Sequence, residues 1–369
     1  MENRLVTIAT LKKTDAELLK KQLEGEQVYC ELSLAKAVKS NEQDGYRVKV
    51  KQKDRKKAIK VLDNFSEVYG IETIEGDIFS KEVERILVPV DFSENSKKSC
   101  EYALGIAEIL QAEVLLMHAY YFPVINSIDY GEGLSYVVNI NDTISEIAKK
   151  SQEKLLSLYN ELKEKINKKG YKNVKLNFTL VNGNPANEII NTTNSYLPDL
   201  IIMGARGQSP EEKEYFGSIA ASVIDDVKVP VLAIPESAKY KGIGRVNILY
   251  ATNFEQSDYK ALQKLMTLIY LFDVKISLVH IGTQENEKLE KIEYIKTVFD
   301  NLYPGYEIDC HIIEEKDVVR ALKNFIDENN IDIIAMTTHK RNLITRLFYP
   351  SLTKKVLFKA DIPLLVFHA

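Results

Sequence analysis

Short apolar runs separated by helix-period stretches recur along most of this chain. Arg85-Ile86-Leu87-Val88-Pro89-Val90, Val114–Ala119, Leu200–Met203 and Val229–Ile234 are continuous rather than alternating. A strand that reads this way is covered on both faces, as in a parallel sheet. Between them, Ala103, Leu104, Ala107 and Leu110 mark a helix that Ser93 can cap. A Lys- and Glu-rich helix is expected over roughly 141–169, and a third strand over Val174–Val181. Gly183-Asn184-Pro185 opens a helix through Ile189 and Ile190. Strands alternating with helices predict an α/β unit over 84–236. Tyr120 to Asn141 reads as a long aromatic insertion after the second strand.

The same pattern returns over 245–369. Ile248-Leu249 corresponds to Ile86-Leu87, Leu278-Val279-His280 to Leu116-Met117-His118, and Asp332–Met336 to Asp199–Met203. Ile362-Pro363-Leu364-Leu365 corresponds to Val229–Leu232. Residues 237–244 read as a glycine-bearing linker. The first 66 residues follow a different plan. Leu5–Ala9, Val28–Leu32 and the alternating Tyr46–Val50 are strands, with helices after Thr14-Asp15 and Asp54. The order β-α-β-β-α predicts a small ferredoxin-like α+β domain over 1–66. Residues 67–83, acidic and glycine-bearing, are its linker.

Candidate chemistry concentrates after the Leu200–Met203 strand. Gly204-Ala205-Arg206-Gly207 breaks it, an acidic loop follows, and Gly217-Ser218-Ile219-Ala220 enters a helix. Glycines past a strand let backbone approach a ligand closely. A Gly-Ser helix entry offers unpaired N–H groups and a hydroxyl to an anion. The alternative is a tight turn and a helix entry with no ligand. The spacing of Gly204, Gly207, Gly217 and Ser218 resembles the ATP-binding signature of the universal stress protein family. Val88-Pro89-Val90-Asp91-Phe92-Ser93, Gly183-Asn184-Pro185 and Val229–Pro235 complete that resemblance.

The resemblance implies two tandem doubly wound parallel five-stranded sheets of order 3-2-1-4-5, like those of adenine nucleotide alpha hydrolases. It implies adenine nucleotide, ATP with or without Mg, in the first copy. Pro89, Val90, Asp91 and Ala119 would lie at adenine and ribose, and Met203 and Gly204 at base and sugar. Arg206, Gly207, Gly217, Ser218, Ile219 and Ala220 would hold the phosphates. For Asp91 a strand-end turn or helix cap is the competing role. His118, within an apolar strand, reads as a core histidine. The resemblance also implies a pair of the two large domains within one chain, joined through their last strands, and leaves a homodimer open. Ile8-Ala9-Thr10 and Glu24–Tyr29 give the first domain a resemblance to small prokaryotic signal-transducing domains.

The second copy departs where the chemistry would lie. Asp91 becomes Asn253, Gly204 becomes Thr337, Gly207 becomes Lys340 and Gly217 becomes Pro350, with only Ser351 retained. Side chains now stand where backbone must approach, and proline lacks an N–H. The copy is expected to keep the fold without the nucleotide site. Anion binding through His339, Lys340 and Arg341 is the competing reading.

Composition narrows the function. At 45% hydrophobic and 28% charged residues, the chain is an ordinary globular sequence rather than a disordered one. A net charge of −4 favours neither nucleic acid nor an anionic membrane. The lysines and arginines from Lys49 to Lys57 lack aromatic interleaving and read as a solvated face. Cys30, Cys100 and Cys310 are dispersed, as reduced thiols of a cytoplasmic protein would be. The N-terminus has no signal-peptide core, and no apolar run reaches the roughly 18 residues of a membrane span. No catalytic residue and no metal site is assigned. The sequence lacks H-x-G-H, S-G-G-x-D-S and G-x-x-x-x-G-K-[ST]. A non-enzymatic nucleotide-binding stress or signalling protein is expected. The alternatives are a ligand-free adaptor and a slow ATP-hydrolysing enzyme.

Overall fold

Uninterrupted apolar strands need cover on both faces, and helices provide it throughout the computed structural model. It describes residues 5–35, 45–69, 83–121, 133–206, 217–242, 244–252, 256–282, 291–292, 295–296, 299, 306–315, 317–338 and 362–368. The chain divides into two compact units, residues 1–82 with 254–314, and residues 83–253 with 315–369.

In the first unit, β1 (Leu5–Leu11), β2 (Cys30–Ala35) and β3 (Gly45–Lys51) form an antiparallel sheet of order β1-β3-β2. Helices α1 (Lys13–Gly25) and α2 (Arg55–Tyr69) bury Leu19, Leu23, Leu62 and Phe65 with the sheet's Leu11, Val48 and Val50. The unit also holds α7 (Gln256–Ile269) and the parallel pair β10 (Val274–Ile281) and β11 (Glu307–Ile313). Arg55, at 1% exposure, lays its guanidinium 3.9 Å from the Tyr270 ring centroid. Buried stacking of this kind suits a delocalised, weakly hydrated cation.

In the second unit, β4 (Arg85–Pro89), β5 (Glu113–Tyr120), β6 (Lys175–Asn182), β7 (Leu200–Gly204) and β8 (Val231–Ile234) lie in the order β6-β5-β4-β7-β8, all parallel. Their helices are α3 (Glu94–Leu110), α4 (Gly133–Lys169), α5 (Pro185–Tyr196) and α6 (Ser218–Asp226). Helix α4 begins earlier than expected, so part of the 120–141 insertion is helical. Residues 122–132 lie outside the described residues. Strands β9 (Val246–Ala251), β12 (Ile333–Thr338) and β13 (Leu364–His368) add a parallel set, with α8 (Val318–Asn329) preceding β12 in the chain. β13 pairs antiparallel with β8, with Leu364 opposite Ala233 and Val366 opposite Val231. No helix among the described residues is long and apolar enough to cross a membrane.

The two copies share their register. Ile86 pairs with Leu200 and Leu87 with Ile201, and Ile248 pairs with Ile333 and Leu249 with Ile334. One aspartate secures this register in each copy. Asp199 Oδ2 accepts the N–H groups of Glu84 at 2.9 Å and Arg85 at 3.1 Å. Asp332 Oδ2 accepts the N–H of Asn247 at 2.9 Å. The backbone N–H groups of Asp199 and Asp332 donate to Arg85 and Asn247 carbonyls, each at 2.8 Å. An Asp199→Ala exchange removes two charge-assisted bonds and should lower stability by about 1–2 kcal/mol, read from urea unfolding. Asp199→Asn keeps the acceptor and should recover about half of that loss.

The 237–244 segment is not a slack tether. Tyr240 lies over Gly105 in α3, and its ring meets Tyr102 edge-on at 5.0 Å between centroids. The Tyr102 hydroxyl donates to the Lys239 carbonyl at 3.1 Å, and Lys98 bonds the Glu236 carbonyl. At the far end Lys241 pairs with Asp332 at 2.6 Å. The sequence reads this stretch as a glycine-bearing linker. Aromatic packing into a glycine notch overrides that local signal.

Candidate functional site

A cavity of about 190 Å³ opens at the carboxyl ends of β4, β5 and β7. Pro89, Val90 and Asp91 line it from β4, with Ala119 from β5. Met203, Gly204 and Arg206 come from β7 and its turn, and Gly217, Ser218, Ile219 and Ala220 from α6. The structure therefore brings together all the sequence-selected positions except Gly207, which lies outside the described residues with the 207–216 loop. Asn253, Lys340, Pro350, Ser351 and the His339–Arg341 cluster of the second copy also lie outside them.

Several lining residues were not assigned to the site from sequence, although Pro185 and Ala205 stand in its motifs. Ser96, Met117, Pro185, Ile189 and Ala205 also face the cavity, as does His118. Ser96 and Pro185 could have been found, since each stands in the first turn of a helix starting from the same sheet edge.

Three helices present their amino ends here, and among the described residues one of them, α6, has no side-chain cap. Ser93 caps α3, accepting the Ser96 N–H at 3.1 Å. Asn184 caps α5, accepting from Ala186 at 3.1 Å and Asn187 at 3.3 Å. The cap of α6 is Gly217, which has no side chain to offer. The positive end of the α6 dipole and its first-turn N–H groups thus border the cavity uncapped, beside Arg206. Gly217 itself plays a different part from the one expected. Its N–H donates to the Ala205 carbonyl at 2.9 Å, so it fastens the helix entry to the β7 turn. The donors that remain for an anion are those of Ser218 to Ala220.

Gly204 is required by close approach rather than by φ. A Cβ there would stand 3.0 Å from the Arg206 carbonyl oxygen and 3.0 Å from Asn95 Nδ2. In the second copy Thr337 takes this place. It is 4% exposed and its hydroxyl bonds the buried Tyr250 hydroxyl. A side-chain pair thus fills the second copy at the point where the first is open.

Asp91 shapes the turn out of β4. Its Oδ1 accepts the Ser93 N–H at 3.0 Å and the Ser93 hydroxyl at 2.6 Å. These bonds hold Phe92 at a φ of 66°, an unusual conformation for a bulky residue. The Phe92 ring packs against His118, 4.3 Å between centroids. His118 Nδ1 lies 2.7 Å from the Val90 carbonyl and donates to it, since a carbonyl can only accept. Burial lowers the His118 pKa from its usual value near 6.5, assisted by Lys154 and opposed by the Val90 bond and Asp91. His118 is therefore half-buried and neutral, with Nε2 as an acceptor. Among the described residues no group of three or more His, Cys, Asp or Glu could hold a metal ion.

The fold is that of an open, mostly parallel α/β protein with its cavity at the carboxyl ends of the strands. The chain belongs to the universal stress protein family, which it matches twice, over residues 82–235 and 245–368. It is 29% identical over 160 residues to the universal stress protein MJ0531 of Methanocaldococcus jannaschii, spanning 42% of this chain and 84% of that protein. It is 30% identical over 150 residues to the universal stress protein YxiE of Bacillus subtilis, spanning 41% of this chain and 97% of that protein. Its fold is similar to the crystal structure of a universal stress protein from Archaeoglobus fulgidus, with a TM-score of 0.58 at 21% identity. That likeness covers 78% of this chain and 97% of the other.

Proposed function

We propose that this chain binds an adenine nucleotide, ATP with or without Mg, in its first universal stress domain alone. It then acts in stress response or signalling by nucleotide-dependent conformation or partner binding rather than by catalysis. The observation that carries this reading is the uncapped amino end of α6, facing a cavity beside Arg206 and a glycine-opened turn. Such a helix end attracts phosphate through both its dipole and its N–H groups. Apolar walls from Val90, Met117, Met203 and Ile189 suit a purine base. In this reading Pro89, Val90, Asp91, Ala119, Met203 and Gly204 surround base and ribose, and Arg206 with Ser218 to Ala220 holds the phosphates.

The second copy serves as a partner for the first rather than as a second site. The β8–β13 pairing supports an intramolecular pair, because it covers two apolar strand edges that would otherwise be open. Three free cysteines are in keeping with a cytoplasmic location. The role of Pro185 and His118 is to line the base end, with no proton transfer assigned to either. Mass spectrometry of small molecules released from the denatured protein tests the ligand class. An adenine nucleotide near one equivalent per chain supports the reading. Protein that carries none, and takes up none from added ATP, would favour the ligand-free adaptor.

A further inference from the structure

Asn95 lies in the first turn of α3 and is 5% exposed. Its Nδ2 donates to the Arg206 carbonyl at 3.0 Å, across 111 positions of sequence. The acceptor, being a carbonyl, fixes which end of the amide is nitrogen. Opposite it stands Gly204, whose missing side chain leaves the room the amide fills. A Cβ at that position would be 3.0 Å from Nδ2 and 3.2 Å from Cγ. Asn95 and Gly204 are thus a fitted pair, and together they set the path of the turn that carries Arg206.

A stabilising role alone does not account for this residue. Its Oδ1 is buried and has no hydrogen-bond partner among the described residues. Leaving such an oxygen unpaired costs about as much as one neutral hydrogen bond returns, so the amide brings little net stability. The second copy changes both members of the pair. Ser257 stands in sequence where Asn95 does, and Thr337 where Gly204 does. Amide and glycine are replaced together in the copy whose cradle positions are filled.

We propose that Asn95 is a positioning residue for the phosphate end of the cavity. It ties the Gly204–Arg206 turn to α3, so that Arg206 and the amino end of α6 meet the anionic part of the ligand in a fixed arrangement. The inference rests on the nucleotide reading above and deepens it. It predicts a ligand-selective effect, because most of the base and ribose end comes from β4, β5 and Met203, whereas the turn beyond Gly204 leads to the phosphate end.

The test compares ATP with adenosine, which lacks every phosphate, by calorimetry on the full chain. Asn95→Ala should weaken ATP about tenfold while changing adenosine affinity less than twofold. Its thermal midpoint should fall only slightly, since the unpaired oxygen is removed as the Arg206 carbonyl loses its donor. Asn95→Leu keeps roughly the volume, adds no charge and cannot donate, and should reproduce the selective loss. Unchanged ATP affinity in both variants, or equal losses for ATP and adenosine, would overturn the positioning role and leave the nucleotide site standing. Wild-type protein that binds neither ligand would overturn both.

Discussion

A Gly204→Thr variant is expected to lose ATP affinity by a hundredfold or more while remaining folded. The second copy supplies the rationale, since it carries Thr337 at this place in the same fold. In the first copy the new Cβ would come within 3.0 Å of the Arg206 carbonyl and of the Asn95 amide. One neighbour is backbone and the other is a buried amide held by a hydrogen bond, so the turn is expected to shift by a few tenths of an ångström. The shift carries Arg206 away from the cavity and spoils the alignment of donors beside it. Charge-assisted hydrogen bonds contribute roughly 1.5–3 kcal/mol each, so losing two removes about 3 kcal/mol or more, which is over a hundredfold. Thermal melting should show a midpoint close to that of wild type. Retained ATP binding in a folded Gly204→Thr protein would mean that the glycine serves only the turn.

The largest expected loss of stability lies far from the strand ends, at the Gly105 notch. A Cβ at Gly105 would stand 1.8 Å from the Tyr240 hydroxyl oxygen and 2.2 Å from its Cζ. Gly105→Ala must therefore expel the tyrosine ring. The variant loses the edge-on contact with Tyr102 and strains the Tyr102 bond to the Lys239 carbonyl. Overpacking and lost aromatic contact together suggest roughly 2–3 kcal/mol. Alanine favours a helix interior over glycine by about 1 kcal/mol, so the sign of the effect separates packing from propensity. Trypsin gives a second readout, because Lys239 and Lys241 lie in the 237–244 segment. Cleavage there should accelerate at least tenfold when the ring is displaced. A variant as stable as wild type and equally resistant to trypsin would show that the segment is a tether after all.

The contrast between these two sites explains what the sequence could disclose. Buried parallel strands announce themselves, because Ile86-Leu87-Val88 and Leu200-Ile201-Ile202 must be apolar on both faces. The glycine spacing after β7 was legible because close backbone approach tolerates few other residues. The doubled pattern of strand residues exposed the repeat, including the paired aspartates Asp199 and Asp332. Gly105 carried no such signal. A glycine inside a helix reads as a propensity penalty until the residue occupying its notch, 135 positions later at Tyr240, is known. Asn95 was hidden for the same reason, since its partners lie more than a hundred positions away. The early start of α4 was missed because Gly131, Gly133 and the β-branched pair Val137-Val138 are weak helix formers. Gly217 was read correctly as a helix entry but not in its bonding, which depends on where the Ala205 carbonyl points.

The central claim is a single nucleotide site per chain, placed in the first copy. Titration of ATP into the full-length protein by calorimetry, with Gly217→Val alongside, addresses it directly. The predicted result is one molecule of ATP bound per chain in wild type. In Gly217→Val a β-branched side chain stands at the entry of α6, where its donors face the cavity, and binding should fall below detection. Two molecules per chain in wild type, or undiminished binding in Gly217→Val, would contradict the account.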